Sequence, residues 1–220
     1  MKTAALPHME DLINDIASKK SSLYTSLDLF KGFFQCKLSK RSRGYTSHTS
    51  PSGIRYQYKV CPMGLANSPF GLIKILNQVL SRLLANNSVY LYMDDLTVAE
   101  PLFEDHILVL KTLFQTFRAN DLVCNPAKCT FMEPETVFLG QKISCNGVTL
   151  DPSITKIVKS LAPARNKKSA QRLVGLFQYF RRYVPSYSQR SCNLRALLSD
   201  KTPFQWTEKC FAELEDLKKL

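Results

Sequence analysis

Residues 89–98 read Val-Tyr-Leu-Tyr-Met-Asp-Asp-Leu-Thr-Val, two adjacent aspartates between two apolar arms. Each arm has the length and the β-branched or aromatic content of a strand. The segment therefore reads as strand, tight acidic turn, strand. Aspartate is common in turns, because its short side chain bonds the local backbone. A hairpin that merely faces solvent, however, has little use for two hydrophobic arms. The turn is expected to stand at the end of a buried sheet.

A third carboxylate is tied to this turn by charge. Leu23–Leu29 alternates roughly and reads as a strand ending near Asp28. From Leu29 to Met93 there is no Asp or Glu, but there are nine Lys and Arg. Asp28 and Asp94 thus bracket a long, purely basic stretch. The whole chain carries a net charge of +12. A second acid-free stretch runs from Pro152 to Ser199 and holds Lys156, Lys159, Arg165, Lys167, Lys168, Arg172, Arg181, Arg182, Arg190 and Arg195. Ordinary solvated faces mix signs, whereas long basic stretches interleaved with Tyr and Phe fit phosphate neutralisation. Three carboxylates at strand ends inside a positive region suit two-metal phosphoryl transfer. Hard Mg2+ ions take oxygen ligands, and two ions about 3.5–4 Å apart need carboxylates to bridge them. Composition and spacing alone leave this open against the plainer reading of a solvent turn and a strand-end cap.

The 220 residues fit one large domain or two small ones, and the 45% hydrophobic content is enough for a real core. No apolar run approaches the roughly 18 residues of a membrane span. Glu10, Asp11 and Asp15 interrupt any secretory pattern at the start. Residues 8 to 18 read as a helix. Ser50-Pro51-Ser52-Gly53 is a turn, followed by a strand on Ile54, Tyr56, Tyr58 and Val60. Asn67-Ser68-Pro69 opens a helix, Asn67 as its cap, with Phe70, Ile73, Leu76, Leu80, Leu83 and Leu84 on one face. A second helix from about Glu104 to Asn120 turns Ile107, Leu110, Leu113, Phe114 and Phe117 inward. Val137–Leu139 and Val148–Leu150 flank Asn146-Gly147, a hairpin signal. After Asp151-Pro152 the strands stop and short helices follow, broken at Pro163, Pro185 and Pro203. The seven scattered cysteines show no Cys-x-x-Cys, so reduced thiols in a reducing compartment are expected rather than a zinc site.

Eight short motifs then stand in a telling order. They are Leu27-Asp28-Leu29, Phe33, Pro62-x-Gly64-Leu65, Asn67-x-Pro69, Tyr92-Met93-Asp94-Asp95, Lys128-Cys129-x-Phe131, Phe138-Leu139-Gly140 and Phe204-x-Trp206-Thr207. In this order and spacing the chain resembles retroviral and gypsy-type long-terminal-repeat retrotransposon reverse transcriptases over essentially its whole length. The resemblance implies an α+β, right-hand polymerase fold with partial fingers, a palm of antiparallel sheet and helices, and a helical thumb. Residues 1–150 would be fingers and palm, 151–200 thumb, and 201–220 the start of the connection towards a ribonuclease H domain. Asp28 and Asp94 match the principal ligands of two Mg2+ ions (Mn2+ as alternative), with Asp95 supporting and the Leu29 carbonyl as a further contact. Lys31 and Gly32 match backbone contacts to the triphosphate. Phe33 matches the aromatic that excludes a 2′-hydroxyl; without the motif it would read as plain core. Met63, Gly64 and Met93 match positions around the nucleotide. Phe138, Leu139 and Gly140 match the hairpin that grips the primer end. Arg165, Lys167, Lys168, Arg172, Arg181 and Arg182 fall in the thumb, which would hold a duplex by its phosphates, while Leu173, Leu176, Phe177 and Phe180 would pack its core.

The resemblance implies primer-dependent DNA synthesis on RNA or DNA from deoxynucleoside triphosphates, with ribonuclease H and integrase segments in the same polyprotein and no membrane partner. It leaves localisation between cytoplasmic virus-like particles and the nucleus. Met63, Tyr45 and His48 depart from the family's usual residues, and Met93 is the retroviral choice. The family's upstream fingers segment has no counterpart in the sequence, so a non-catalytic nucleic-acid-binding remnant is the alternative. A two-metal nuclease fits less well, because it needs neither primer clamp nor sugar gate.

Overall fold

The computed structural model describes residues 7–199 and 203–219. The chain divides into two compact units, one ending at Thr149 and the other starting at Leu150.

The first unit is built on a four-stranded antiparallel sheet. β1 (Leu23–Asp28), β4 (Val89–Tyr92), β5 (Asp95–Glu100) and β6 (Thr130–Glu133) lie in the order β4-β5-β1-β6. Between β1 and β4 come α2 (Lys40–Arg43), the small hairpin β2 (His48–Thr49) and β3 (Arg55–Tyr56), then α3 (Ser68–Val79) and α4 (Ser81–Ala85). α1 (Met9–Ser18) precedes the sheet and α5 (Phe103–Ala119) follows β5. A second sheet is formed by β7 (Glu135–Phe138), β8 (Gln141–Ser144) and β9 (Gly147–Leu150).

Both faces of the main sheet are covered, which is why its central strands are apolar almost throughout. On one face Leu27, Val89, Leu91, Leu96 and Val98 pack with Leu72, Leu76, Leu110, Leu113 and Phe117 of the helices. On the other face Tyr24, Tyr90 and Ala99 pack with Ile13 and Ile16 of α1 and with Phe138 and Ile143 of the second sheet. The expected hairpin around Asp94-Asp95 is therefore present, and its two arms are buried for this reason.

Several expectations need correction. The helix expected to open at Asn67-Ser68-Pro69 and to end at Asn86 is two helices, separated at Leu80, whose ψ of 10° departs from helical geometry. Leu72 is buried, whereas Phe70 is 42% exposed. Asn67 makes no side-chain cap bond; Ser68 turns its hydroxyl to the Pro62 carbonyl instead. In α5, His106 is buried and Phe114 points outward. Of the strand expected from Ile54 to Val60, only Arg55–Tyr56 joins a ladder, since it finds just His48–Thr49 opposite. The Asn146-Gly147 turn joins β8 to β9, not β7 to β9. β8 escaped notice because Gln-Lys-Ile-Ser offers only one apolar side chain, and β6 escaped because its exposed pattern lacks alternation.

The second unit is helical. α6 (Pro152–Lys159), α7 (Lys167–Tyr179), α8 (Tyr187–Arg190), α9 (Cys192–Ala196) and α10 (Glu208–Leu217) share one core. Val158, Leu173, Phe177, Leu194, Leu214 and Leu217 are its centre. Asp151 caps α6 and Asn166 caps α7 through a reciprocal box with Ser169. No helix among the described residues is long and apolar enough to cross a membrane.

Candidate active site

The register of the main sheet decides how the carboxylates meet. β1 and β5 run antiparallel, and Asp28 lies directly opposite Asp95. Paired residues in such a ladder have Cα atoms about 4.5–5.5 Å apart. β4 and β5 close their pairing at Tyr92 opposite Asp95, leaving Met93 and Asp94 as a two-residue loop. φ is positive at Met93 (58°) but not at Asp94. That is the pattern of a type II′ turn, whose first position normally takes glycine. A methionine there carries backbone strain of roughly 1–3 kcal/mol. The sheet thus gathers Asp28, Asp94 and Asp95 at one end, from positions far apart in the sequence.

The electrostatics show that these groups feel one another. Partial burial pushes the Asp95 carboxyl up, and Asp94 and then Asp28 push it further, while Lys128 pulls it back. The Asp95 side chain reaches the surface, yet the packed strand ends still withhold part of its water, and that loss of hydration is the larger influence. Lys128 Nζ donates to Asp28 Oδ2 at 3.3 Å. No trio of His, Cys, Asp or Glu closes into a finished metal cage among the described residues. The donor chemistry nonetheless fits a hard divalent ion: oxygen ligands only, repelling one another, open to solvent on the turn side.

The segment 123–129 braces this end of the sheet; the sequence marked only its Lys128-Cys129 end, as part of a motif. Asn125 N donates to Asp28 O at 2.8 Å, and Phe30 N donates to Val123 O at 2.9 Å. Leu29 bridges to Cys124 and is buried in the core. Gln35 clamps Val123, donating to its carbonyl and accepting from its amide, both at 2.8 Å. Cys129 Sγ donates to the Asp28 carbonyl at 4.0 Å, and burial, then the neighbouring Cys129 thiol, push the Cys124 thiol up to about 12. Nothing in the sequence marked Lys128 as the partner of a residue a hundred positions away; only the fold shows it. All seven cysteines are free thiols.

The other candidates fall as follows. Lys31 has a left-handed backbone (φ 49°) and leads into a short 3-10 helix, Gly32–Gln35. Gly32 is buried, and a Cβ there would come within 3.3 Å of Leu72 Cδ2, so a larger residue would require that side chain to give by a few tenths of an ångström. Phe33 is half-buried against the core that holds Leu27 and Leu72. Met63 is 61% exposed, and Gly64 (φ 89°) has open space where a Cβ would sit. Leu139 and Gly140 form the β7–β8 turn, both with positive φ. Phe138 is fully buried beneath that turn and anchors it, so it presents no surface to a primer. Arg165, Lys168, Arg172, Arg181 and Arg182 are exposed in the second unit and Lys167 is half-buried there. Arg165 and Arg172 line a cleft of about 540 Å³ beside the start of α7.

Comparison with known proteins gives a consistent result. The chain matches the family model described as reverse transcriptase (RNA-dependent DNA polymerase) over residues 3–143. It is 30% identical over 206 residues to the retrovirus-related Pol polyprotein from transposon 412 of Drosophila melanogaster, covering 93% of this chain and 16% of that polyprotein. It is 27% identical over 214 residues to the transposon Tf2-3 polyprotein of Schizosaccharomyces pombe, covering 97% and 16% respectively. The chain therefore spans about a sixth of these relatives. Among solved structures, it is similar to a foamy viral protease-reverse transcriptase (dRH) in complex with double-stranded DNA, with a TM-score of 0.89 at 22% identity over 98% of this chain and 38% of that one. A foamy viral protease-reverse transcriptase in complex with an RNA/DNA hybrid gives 0.84 at 21% identity, over 100% and 29%. At such identities the likeness speaks for the fold alone, and that fold is the α+β right-hand polymerase. Taken with the match over most of its length, the chain belongs to the reverse transcriptase (RNA-dependent DNA polymerase) family.

Proposed function

We propose that this chain carries the polymerising centre of a retrotransposon Pol polyprotein of the gypsy-type branch, extending a primer along an RNA or DNA template. The observation that carries the reading is the cross-strand pairing of Asp28 with Asp95 beside the Met93–Asp94 turn. Asp28, Asp94 and Asp95, with the Leu29 carbonyl, would hold two Mg2+ ions. When bound, such a pair supplies activation of the primer hydroxyl and neutralisation of the leaving pyrophosphate.

The chain's own residues divide the remaining work. The backbone at Lys31 and Gly32 meets the triphosphate, and Gly64 lets the chain approach the nucleotide closely. Phe33 is held against the core, so its ring stays in place and leaves no room for a 2′-hydroxyl. Met63 and Met93 border the same nucleotide. The Leu139–Gly140 turn, anchored by buried Phe138, positions the primer end. The basic helices of the second unit hold the duplex through its phosphates. In this reading residues 1–150 act as fingers and palm, 151–200 as thumb, and 201–220 begin a connection. Deoxynucleoside triphosphates are the substrates. The duplexes bound by the foamy viral neighbours support template–primer as partner. The relatives' being Pol polyproteins supports ribonuclease H and integrase segments alongside.

Primer extension with Mg2+ tests this, comparing the natural chain with Asp94→Asn/Asp95→Asn. Extension by the natural chain alone supports the reading. Tight duplex binding with no extension by either would make the chain a non-catalytic remnant. In an active preparation, Phe33→Val is expected to raise ribonucleotide incorporation, and unchanged selectivity would remove that role from Phe33.

A further inference from the structure

Cys36 and Cys61 meet across a ladder that no sequence spacing shows. Lys37 is bridged to Val60 in antiparallel register, so the next position inward sets Cys36 directly opposite Cys61. Cys61 N donates to Cys36 O at 2.8 Å, and Leu38 N donates to Lys59 O at 2.9 Å on the other side of the bridge. A hydrogen-bonded antiparallel pair has Cα atoms about 5.5 Å apart. Disulfides most often span about 5.5–6 Å between Cα atoms. Directly opposed residues also turn their side chains to the same face. Both thiols enter the core that holds Leu27 and Leu72, and they are 5% and 8% exposed.

Neither thiol is held by a strong partner. Cys36 Sγ donates to the Gly32 carbonyl at 3.8 Å, and Cys61 Sγ donates to Ser68 Oγ at 3.0 Å. Thiols are weak donors, so little is lost when they let go. Ser68 Oγ keeps its own bond to the Pro62 carbonyl at 2.8 Å. Burial pushes the Cys36 thiol up to about 11, and the Cys61 thiol beside it pushes the same way.

Buried thiols react slowly, so the pair needs a way to open. The β2–β3 hairpin supplies it, because Cys36 and Cys61 lie at its root. Its ladder has two residues per strand, and every residue from Ser47 to Lys59 is exposed except Ser50. A ladder this short, with so little buried surface, opens locally at small cost.

We propose that Cys36 and Cys61 are a redox pair that closes to a reversible disulfide across the root of this hairpin. The oxidant is a low-molecular-weight disulfide such as oxidised glutathione. One protein thiolate attacks a sulfur of that disulfide and expels a first glutathione thiolate, leaving a mixed disulfide. The second protein thiolate attacks the protein sulfur of the mixed bond and expels the other glutathione. Two protons and two electrons thus pass from the protein pair to glutathione, which leaves as two thiols. In reducing surroundings the exchange runs backwards and the pair stays open, as in this structure. The closed bond ties the Gly32–Gln35 turn to the Pro62–Gly64 loop and limits how far either can adjust. These are two of the stretches that meet the nucleotide in the polymerase reading, and the effect of closure on nucleotide use rests on that reading. The bond itself rests on the register alone.

The test is peptide mapping of the full chain after equilibration in oxidised or in reduced glutathione without denaturant, with free thiols blocked before trypsin. The oxidised chain should yield the tryptic peptides of residues 32–37 and 60–74 joined, lighter than their sum by two hydrogens, and dithiothreitol should separate them. Cys36→Ser should abolish the joined species, and an unchanged circular dichroism melt of the reduced variant shows that it is folded. Peptides that stay separate overturn the proposal. So does joining that appears only in urea, or joining of either cysteine to the exposed Cys145 or Cys192 in place of its opposite. Primer extension then reads the consequence. KM for the deoxynucleoside triphosphate should rise several-fold on oxidation, recover with dithiothreitol, and stay constant in Cys36→Ser/Cys61→Ser. A joined pair with unchanged KM overturns the link to nucleotide use. A chain that extends no primer in either state counts against the polymerase reading, while mapping still decides the bond.

Discussion

The carboxyl pKa values of Asp95 in the first unit and Asp216 in the second are displaced in opposite directions. Asp216 accepts from Arg190 Nε at 2.6 Å, and that hydrogen bond holds its carboxyl below the usual range. Its neighbour Glu213 accepts from the amides of Asn193 and Leu194 at 3.0 and 2.9 Å, where α9 begins. These two acids of α10 are thus matched with donors of the same unit, and they secure packing. Asp95 is raised by burial, by Asp94 and by Asp28, with Lys128 only partly offsetting them. The fold presses these carboxylates together against their mutual repulsion. The acids of the second unit are neutralised by their own partners, whereas Asp95 is left raised by its acidic neighbours, and the proposed function gives that difference its use.

The comparison can be broken by neutralising each kind of acid. Asp94→Asn/Asp95→Asn should lower primer extension on the order of 10³-fold or more, since several kcal/mol of charge stabilisation are at stake. It should also leave stability at neutral pH unchanged or higher. The sign follows from the raised folded pKa of Asp95: its contribution to stability is present at low pH and is lost as pH rises through that value. Loss of both activity and stability in a urea melt at pH 7 would place these residues among the structural acids.

Leu214→Ala provides the contrast within the second unit. Leu214 is fully buried with Phe177 and Leu194. Its truncation should cost about 2–5 kcal/mol, read in the same melt. Asp216→Asn should cost less, up to about 1 kcal/mol, because the ion pair with Arg190 is partly exposed. Its lowered pKa means that this contribution is present near neutrality and fades as pH falls through the folded value.

A titrating group beneath the sheet sharpens the pH dependence. His106 is fully buried, its Nε2 lies 2.8 Å from Thr25 Oγ1, and its Nδ1 has no partner. Burial pushes its pKa below the ordinary 6.5, with Glu100 opposing. The unfolded chain then takes up the proton more readily, so stability falls as pH drops below about 6.5. Denaturant melts between pH 7.5 and 5 should show this loss, and His106→Gln should flatten it. A natural chain with no such slope would mean that His106 is not held neutral.

The sequence made the acidic turn legible because both hairpin arms are hydrophobic, and both proved buried, one face on α3 and α5 and the other on α1 and Phe138. Asp28 was legible only through the charge pattern and the motif that holds it. Its cross-strand position opposite Asp95 depends on register, which no local periodicity records. The contacts of Lys128, Asn125 and Gln35 were invisible for the same reason: their partners lie far off in the sequence. The break at Leu80 and the outward turn of Phe70 show packing overriding a helical pattern that was nearly right. β6 was missed because this edge strand buries none of its side chains fully, and β8 because one of its two buried side chains is the polar Gln141.

Manganese binding, followed by loss of the free-ion electron paramagnetic resonance signal, tests most directly whether Asp28 and the turn form one site. Asp28→Asn and Asp95→Asn should each weaken the same binding event about ten-fold or more, and the double variant should lose less than the sum of the two, as coupled ligands do. Manganese binding that ignores Asp28→Asn but vanishes with Asp95→Asn would contradict the convergence on which the account stands.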